Sequence, residues 1–139
     1  MEKIKKMLHE GNQSLVIRTN ADDIFTFDGR GISDLLQLLN GSPDLLGGAL
    51  VADKVVGKAA AALMILGGVK AVFADTISEP ALQLFASAVP KVDVTYNNKV
   101  EHIINRTKTG WCPMELVCKE ARTPEECLEN IKSFLKERK

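Results

Sequence analysis

The sequence has no run long enough to cross a bilayer, no cysteine framework, few aromatics and no excess of either charge. Its longest apolar run, Ala59 to Leu66, is far short of a membrane span, so no membrane partner is expected. Lysine plus arginine equals aspartate plus glutamate at 18 each, which leaves no global field to attract a nucleic-acid polymer. Three cysteines are an odd number without framework spacing, and the expectation is reduced thiols in a cytoplasmic protein. Met1 to Glu10 is charged and lacks the apolar core of a signal peptide. Aromatics are 5% of a chain that is 45% hydrophobic, so the core must come from aliphatic side chains, as in many α/β proteins.

What is present is one well-punctuated stretch of 139 residues, expected to form a single domain over 1–139. Ile4, Met7 and Leu8 recur at helical spacing before Gly11. Ser14 to Thr19 and Asp23 to Asp28 read as strands, and Asn20-Ala21-Asp22 between them predicts a hairpin. Ile32, Leu35, Leu36 and Leu39 mark a helix that ends at Asn40-Gly41. Ala49 to Ala52 then reads as a short strand, with Asp53 capping a helix that closes on Gly67-Gly68. Ala71 to Ala74 is a buried strand, Ser78-Glu79-Pro80 opens a helix, and Val92 to Tyr96 is a fifth strand. Thr123-Pro124-Glu125-Glu126 is a capping box before an apolar stripe of Cys127, Leu128, Ile131, Phe134 and Leu135. This alternation predicts an α/β fold: a three-layer α-β-α sandwich around a mixed five-stranded sheet with an N-terminal hairpin.

Two stretches carry candidate chemistry. In "ADKVVGKAAAALMILGG" the segment after Lys58 is apolar throughout, so the helix must be enclosed. Lys54 and Lys58, four apart, would share one side of its first turns, where lysine opposes the helix dipole unless an anion is bound. Gly57 between them lowers helix propensity and suits close approach by a ligand. The plainer reading is an exposed Lys54 with a solvated ammonium, and a Lys58 paired with Asp53, Asp75 or Glu79.

The second stretch is "INRTKTGWCPMELVCKE". Arg106, Thr107, Lys108 and Thr109 offer two cations and two hydroxyls ahead of a helix start, which resembles an anion cradle. A solvated loop is the plainer alternative. Pro113 suits the first helical position, with Cys112 as the cap and Glu115 at the third position of a capping-box shape. A thiol at a helix N-terminus is biased towards the thiolate, so Cys112 and Glu115 join Lys58 as candidate reactive groups. A metal site is not expected. Cys112 and Cys118 are six apart, and six residues turn through roughly 600° of helix. His9 and His102 supply no Cys/His motif, whereas zinc needs three or four such ligands. Cys118 and Cys127 fit better as small core residues.

On "VADKVVGKAAA", "TISEPALQLF" and "NRTKTGWCPME", the chain resembles a small uncharacterised family within the cytidine-deaminase-like superfamily, over roughly Ser14 to Leu135. The resemblance implies that superfamily's sandwich. It does not imply its zinc chemistry. Zinc deaminases place His-x-Glu or Cys-x-Glu at one helix start and Pro-Cys-x-x-Cys at the next. This chain has Gly57-Lys58-Ala59-Ala60 and Glu79-Pro80-Ala81-Leu82-Gln83 there. Cys112-Pro113 reverses the motif and follows the fifth strand. The superfamily also holds zinc-free members, including a formyl-transfer domain acting on a nucleotide. The functional expectation is therefore metal-free binding or turnover of a small anionic molecule, phosphorylated or nucleotide-like, with no cofactor. Lys54, Gly57, Lys58 and Arg106 to Thr109 would hold the ligand. The alternatives are a non-catalytic protein-interaction module and a Cys112 thiol or redox enzyme. A homodimer is expected only from how common such assemblies are.

Overall fold

The computed structural model describes residues 2–11, 13–28, 32–89, 91–101 and 113–137. The first helix, α1 (Glu2–Glu10), buries Ile4 and Leu8, one turn apart. Strands β1 (Leu15–Arg18) and β2 (Ile24–Phe27) form the expected antiparallel hairpin, with Leu15 opposite Phe27 and Arg18 opposite Ile24. Its turn is held locally. The Asp23 N–H donates to Thr19 Oγ at 3.1 Å, Asp22 takes φ +69°, and Arg18 pairs with Asp22 at 2.9 Å.

Helix α2 (Ser33–Gly41) is followed by a 3₁₀ turn at Pro43–Leu45 and strand β3 (Leu50–Val56). Helix α3 (Lys58–Gly67), strand β4 (Ala71–Ser78), helix α4 (Glu79–Ala86) and strand β5 (Asp93–Val100) complete the alternation. Two more helices follow, α5 (Pro113–Cys118) and α6 (Pro124–Glu137). The sheet order is β2-β1-β3-β4-β5. β1 runs antiparallel to β2 and β3, and β3, β4 and β5 are mutually parallel. This is the expected mixed five-stranded sheet of a three-layer α/β fold.

Side-chain alternation sends the residues of the central strands to two cores. Val16, Ala52 and Phe73 lie in register and pack under Ile4 and Leu8 of α1. Leu15, Ile17, Val51, Val72 and Ala74 face the larger core with residues of α2, α3, α4, α5 and α6. Ala59 to Met64 of α3 are all buried, as a helix without a polar face requires. The end of α3 is closed by Gly68 at φ +80°, whose N–H donates to Ile65 O, while the Val69 N–H reaches back to Met64 O at 3.2 Å. Gly67 is needed for packing: a Cβ there would meet Leu46 Cδ1 at 2.6 Å.

One boundary differs from the sequence expectation. Asp53 does not cap a helix. The strand expected to stop at Ala52 continues to Val56, and α3 starts only at Lys58, with Gly57 as its cap residue. The ladder explains the difference. Val55 and Val56 pair with Thr76 and Ile77, and the Lys54 N–H donates to Ser14 O at 3.1 Å. These bonds form only when β4 and the β1 end are alongside, and they outweigh a local cap worth about 1 kcal/mol. β4 and β5 likewise run past their expected ends at Ala74 and Tyr96.

Two local expectations match the structure. Ser78 Oγ accepts from the Ala81 N–H at 3.2 Å, with Pro80 in the first turn of α4. Thr123 Oγ accepts from the Glu126 N–H at 3.1 Å at the start of α6. Glu126 completes the box one residue early, accepting from the Arg122 N–H at 2.6 Å.

Candidate functional site

Lys54 and Lys58 do not share a helix face. Lys54 lies within β3, and Lys58 opens α3 beyond the Gly57 cap. Lys58 turns towards the segment just after α5. Its Nζ donates to Lys119 O at 3.3 Å and also to Ala121 O. A helix end leaves carbonyls without intrahelical partners, and an ammonium there supplies both hydrogen bonds and favourable charge. Among the described residues, the hydrogen bonds of its ammonium go to these main-chain oxygens, not to the carboxylates of Asp53, Asp75 or Glu79. Glu79 instead pairs with Lys99 at 3.2 Å. Asp75 accepts from Asn97 Nδ2 at 2.9 Å and lies 3.6 Å from His9 Nε2.

Beside Lys58 sit the two thiols expected in the core. Cys118 and Cys127 are both fully buried, and Cys118 Sγ donates to Cys127 O at 3.9 Å. A hydrogen bond from the Cys118 side chain holds the Cys127 thiol below its ordinary range. Burial opposes this, and the Lys58 charge assists it. Lys58 therefore ties the start of α3 to the connection between α5 and α6.

The residue that the sequence reading missed is Asp53. It stands at the midpoint of β3, in register with Leu15 on one side and Ala74 on the other. Those neighbours belong to the larger core, so Asp53 lies on the face opposite α1. Part of its surface reaches solvent, yet burial pushes its carboxyl up to about 7. The Val55 N–H, 3.4 Å from Oδ1, and the Lys54 N–H work against this, while the charge of Asp34 in the first turn of α2 adds to it. Such a carboxyl exchanges its proton near neutrality and can donate or accept a hydrogen bond. The available signal was an acid in the middle of Leu50-Val51-Ala52-Asp53-Lys54-Val55-Val56, a stretch with β-branched valines on both sides of it. Once that run is read as a strand, the acid must face one of two cores.

The remaining candidates are placed as follows. Arg106, Thr107, Lys108, Thr109 and Cys112 lie outside the described residues. Glu115 belongs to α5, and the placement of its side chain lies outside the description. Gly57 precedes α3 with extended backbone at the carboxyl edge of the parallel strands. Ser78 and Glu79 open α4 at the same edge one strand away. Among the described residues no three His, Cys, Asp or Glu side chains cluster as a metal site, and no helix is long and apolar enough to cross a membrane.

No curated protein matches the chain. Among solved structures, the chain is similar to a crystal structure of a DUF1893 family protein, TM1506 from Thermotoga maritima. The TM-score is 0.84 at 27% sequence identity, covering 95% of this chain and 87% of that one. A family profile described as TM1506, domain of unknown function (DUF1893), matches residues 3–135. With the family profile covering nearly the whole chain, the protein belongs to the DUF1893 family.

Proposed function

We propose that the chain binds, and turns over, a small anionic molecule of phosphorylated or nucleotide-like type at the carboxyl edge of β3 and β4, with Asp53 as the proton-carrying group. The observation that carries this reading is the Asp53 carboxyl, pushed up to about 7 at the midpoint of β3, three residues before the strand's carboxyl end. A protonated acid there donates a hydrogen bond to a phosphate or heterocycle, and its ionised form accepts from a ring N–H. The setting supports it. Open parallel sheets bind ligands outside the carboxyl ends of their strands, and α3 and α4 both start at that edge.

In this reading Lys54 and Gly57 meet the ligand, and Arg106, Thr107, Lys108 and Thr109 cover its anionic group. Cys112 and Glu115 are the further reactive candidates. Lys58 takes a positioning role, because its ammonium engages main-chain oxygens just beyond the helix that begins at Pro113. The sheet order with its helical crossovers supports grouping the fold with the cytidine-deaminase-like superfamily. The helix starts at Gly57-Lys58 and Ser78-Glu79-Pro80 present residue types other than that superfamily's zinc ligands.

The test is a thermal-shift screen of chelator-treated protein against nucleotides, sugar phosphates and, separately, zinc, repeated on Asp53→Asn. A ligand that binds the folded state raises the melting temperature. A phosphorylated compound that shifts the wild type and not Asp53→Asn is the expected result. A shift with zinc alone, or equal shifts in both proteins, would refute the reading.

A further inference from the structure

Strand β5 ends the sheet, and among the described residues no segment pairs with its outer edge. It is eight residues long and mostly exposed, with Tyr96 at 43%. Long open edges are normally blunted by proline, bulges or charges that repel a second strand. The only charged residues within β5 are Asp93 and Lys99, of opposite sign. Their placement favours one particular partner.

The Asp93 N–H donates to Lys70 O at 3.2 Å. In a parallel ladder that turns the main-chain groups of Asp93, Thr95, Asn97 and Lys99 towards β4. Those of Val94, Tyr96, Asn98 and Val100 then point to the open edge. Consider a second copy joined antiparallel about a two-fold axis perpendicular to the sheet. The axis keeps each side chain on its own face, so it must pass through a residue. The central choices are Thr95, Tyr96 and Asn97. An axis at Thr95 sets Lys91 against the partner's Lys99. An axis at Asn97 sets Asp93 against the partner's Glu101. An axis at Tyr96 sets Lys91 against the partner's Glu101, Val92 against the partner's Val100, and Asp93 against the partner's Lys99, each twice by symmetry. It also makes Tyr96 and Val94/Asn98 hydrogen-bonded pairs, as their outward main-chain groups require.

We infer that β5 is a homodimer interface: two copies pair antiparallel through β5, centred on Tyr96, to give one continuous ten-stranded sheet. The charge pattern from Lys91 to Glu101 is self-complementary in this register alone among the three. Tyr96 meets its symmetry mate at the centre, where cross-strand aromatic pairs stabilise a sheet. Lys99 keeps its bond to Glu79 and reaches Asp93 across the axis with its remaining donors.

The test is sedimentation equilibrium of the full chain over a wide concentration range, with melting temperatures recorded to confirm folding. The wild type should dimerise. Asp93→Lys sets lysine against the partner's Lys99 twice and should weaken the dimer about tenfold or more. Glu101→Lys should weaken it similarly, and adding Lys91→Glu should restore it. Tyr96→Cys gives an independent check. Hydrogen-bonded antiparallel pairs have Cα atoms about 5.5 Å apart, within disulfide reach. Oxidised glutathione should therefore join two Tyr96→Cys chains covalently. A wild type that stays monomeric, a dimer whose affinity ignores both charge reversals, or a folded Tyr96→Cys that fails to cross-link would overturn the assignment.

Discussion

Replacing Asp53 by Asn tests the electrostatics of β3 directly. The amide is nearly the same size and keeps an oxygen for the Val55 N–H, but it cannot ionise. In the unfolded wild type this carboxyl titrates near 3.8, and in the folded state near 7. Between those values the folded state holds a proton that the unfolded chain has released. Wild-type stability should therefore fall as pH rises through that window, and the loss is complete above about 7. Full desolvation would place the loss at roughly 4 kcal/mol. Asp53 keeps some solvent contact, so about 1–3 kcal/mol is the working expectation. Asp53→Asn lacks this penalty. Urea unfolding of both proteins from mildly acid to mildly alkaline pH isolates the effect, because all other titrating groups are shared. The difference should be small at acid pH and should grow in favour of the variant up to about pH 7, where it levels. Since 1 kcal/mol moves Tm by roughly 3–4 °C at this chain length, calorimetry would see it too. A difference that stays constant with pH would refute the assignment of a raised carboxyl to Asp53.

Three further substitutions and one control probe the frame. Lys58→Met should cost about 1.5–3 kcal/mol, because the carbonyls of Lys119 and Ala121 lose a charged donor. Limited proteolysis should then cut the α5 region faster than in the wild type. Ser78→Ala removes the acceptor for the Ala81 N–H and should lower stability by about 1 kcal/mol in urea unfolding. Gly67→Ala would drive a methyl group into Leu46 at 2.6 Å, with an expected loss of about 1–3 kcal/mol in the same assay. Gly41→Ala, where a Cβ meets nothing within 4 Å, is the matched control and should change little.

The parts that could be read ahead of the structure are those decided within a few residues. The hairpin turn at Asn20-Ala21-Asp22, the Ser78 cap of α4, the Thr123 cap of α6 and the Gly67-Gly68 stop of α3 each depend on short-range bonds. Their chemistry is written in adjacent side chains. The apolar character of Ala59 to Leu66 likewise announced an enclosed helix, because every face had to leave water. Opening α5 at Pro113 also followed from a local rule.

The candidate site was legible only in part. Lys54, Gly57 and Lys58 were found as a cationic anomaly, but their arrangement depended on where β3 ends. That end is set by Thr76 and Ile77 of β4 and by Ser14 ahead of β1, residues distant in sequence. The same ladder moved Asp53 from a helix cap to a strand facing the larger core, and burial there raises its carboxyl. Lys58 found its partners at Lys119 and Ala121, some sixty positions away. The sequence by itself thus determined the fold class, the Ser78 and Thr123 caps of α4 and α6 and the hairpin turn, because these follow from local hydrogen bonding and periodicity. Only the tertiary structure decided the strand lengths, the environment of Asp53 and the partners of Lys58. Each of these depends on which distant segment the chain brings alongside.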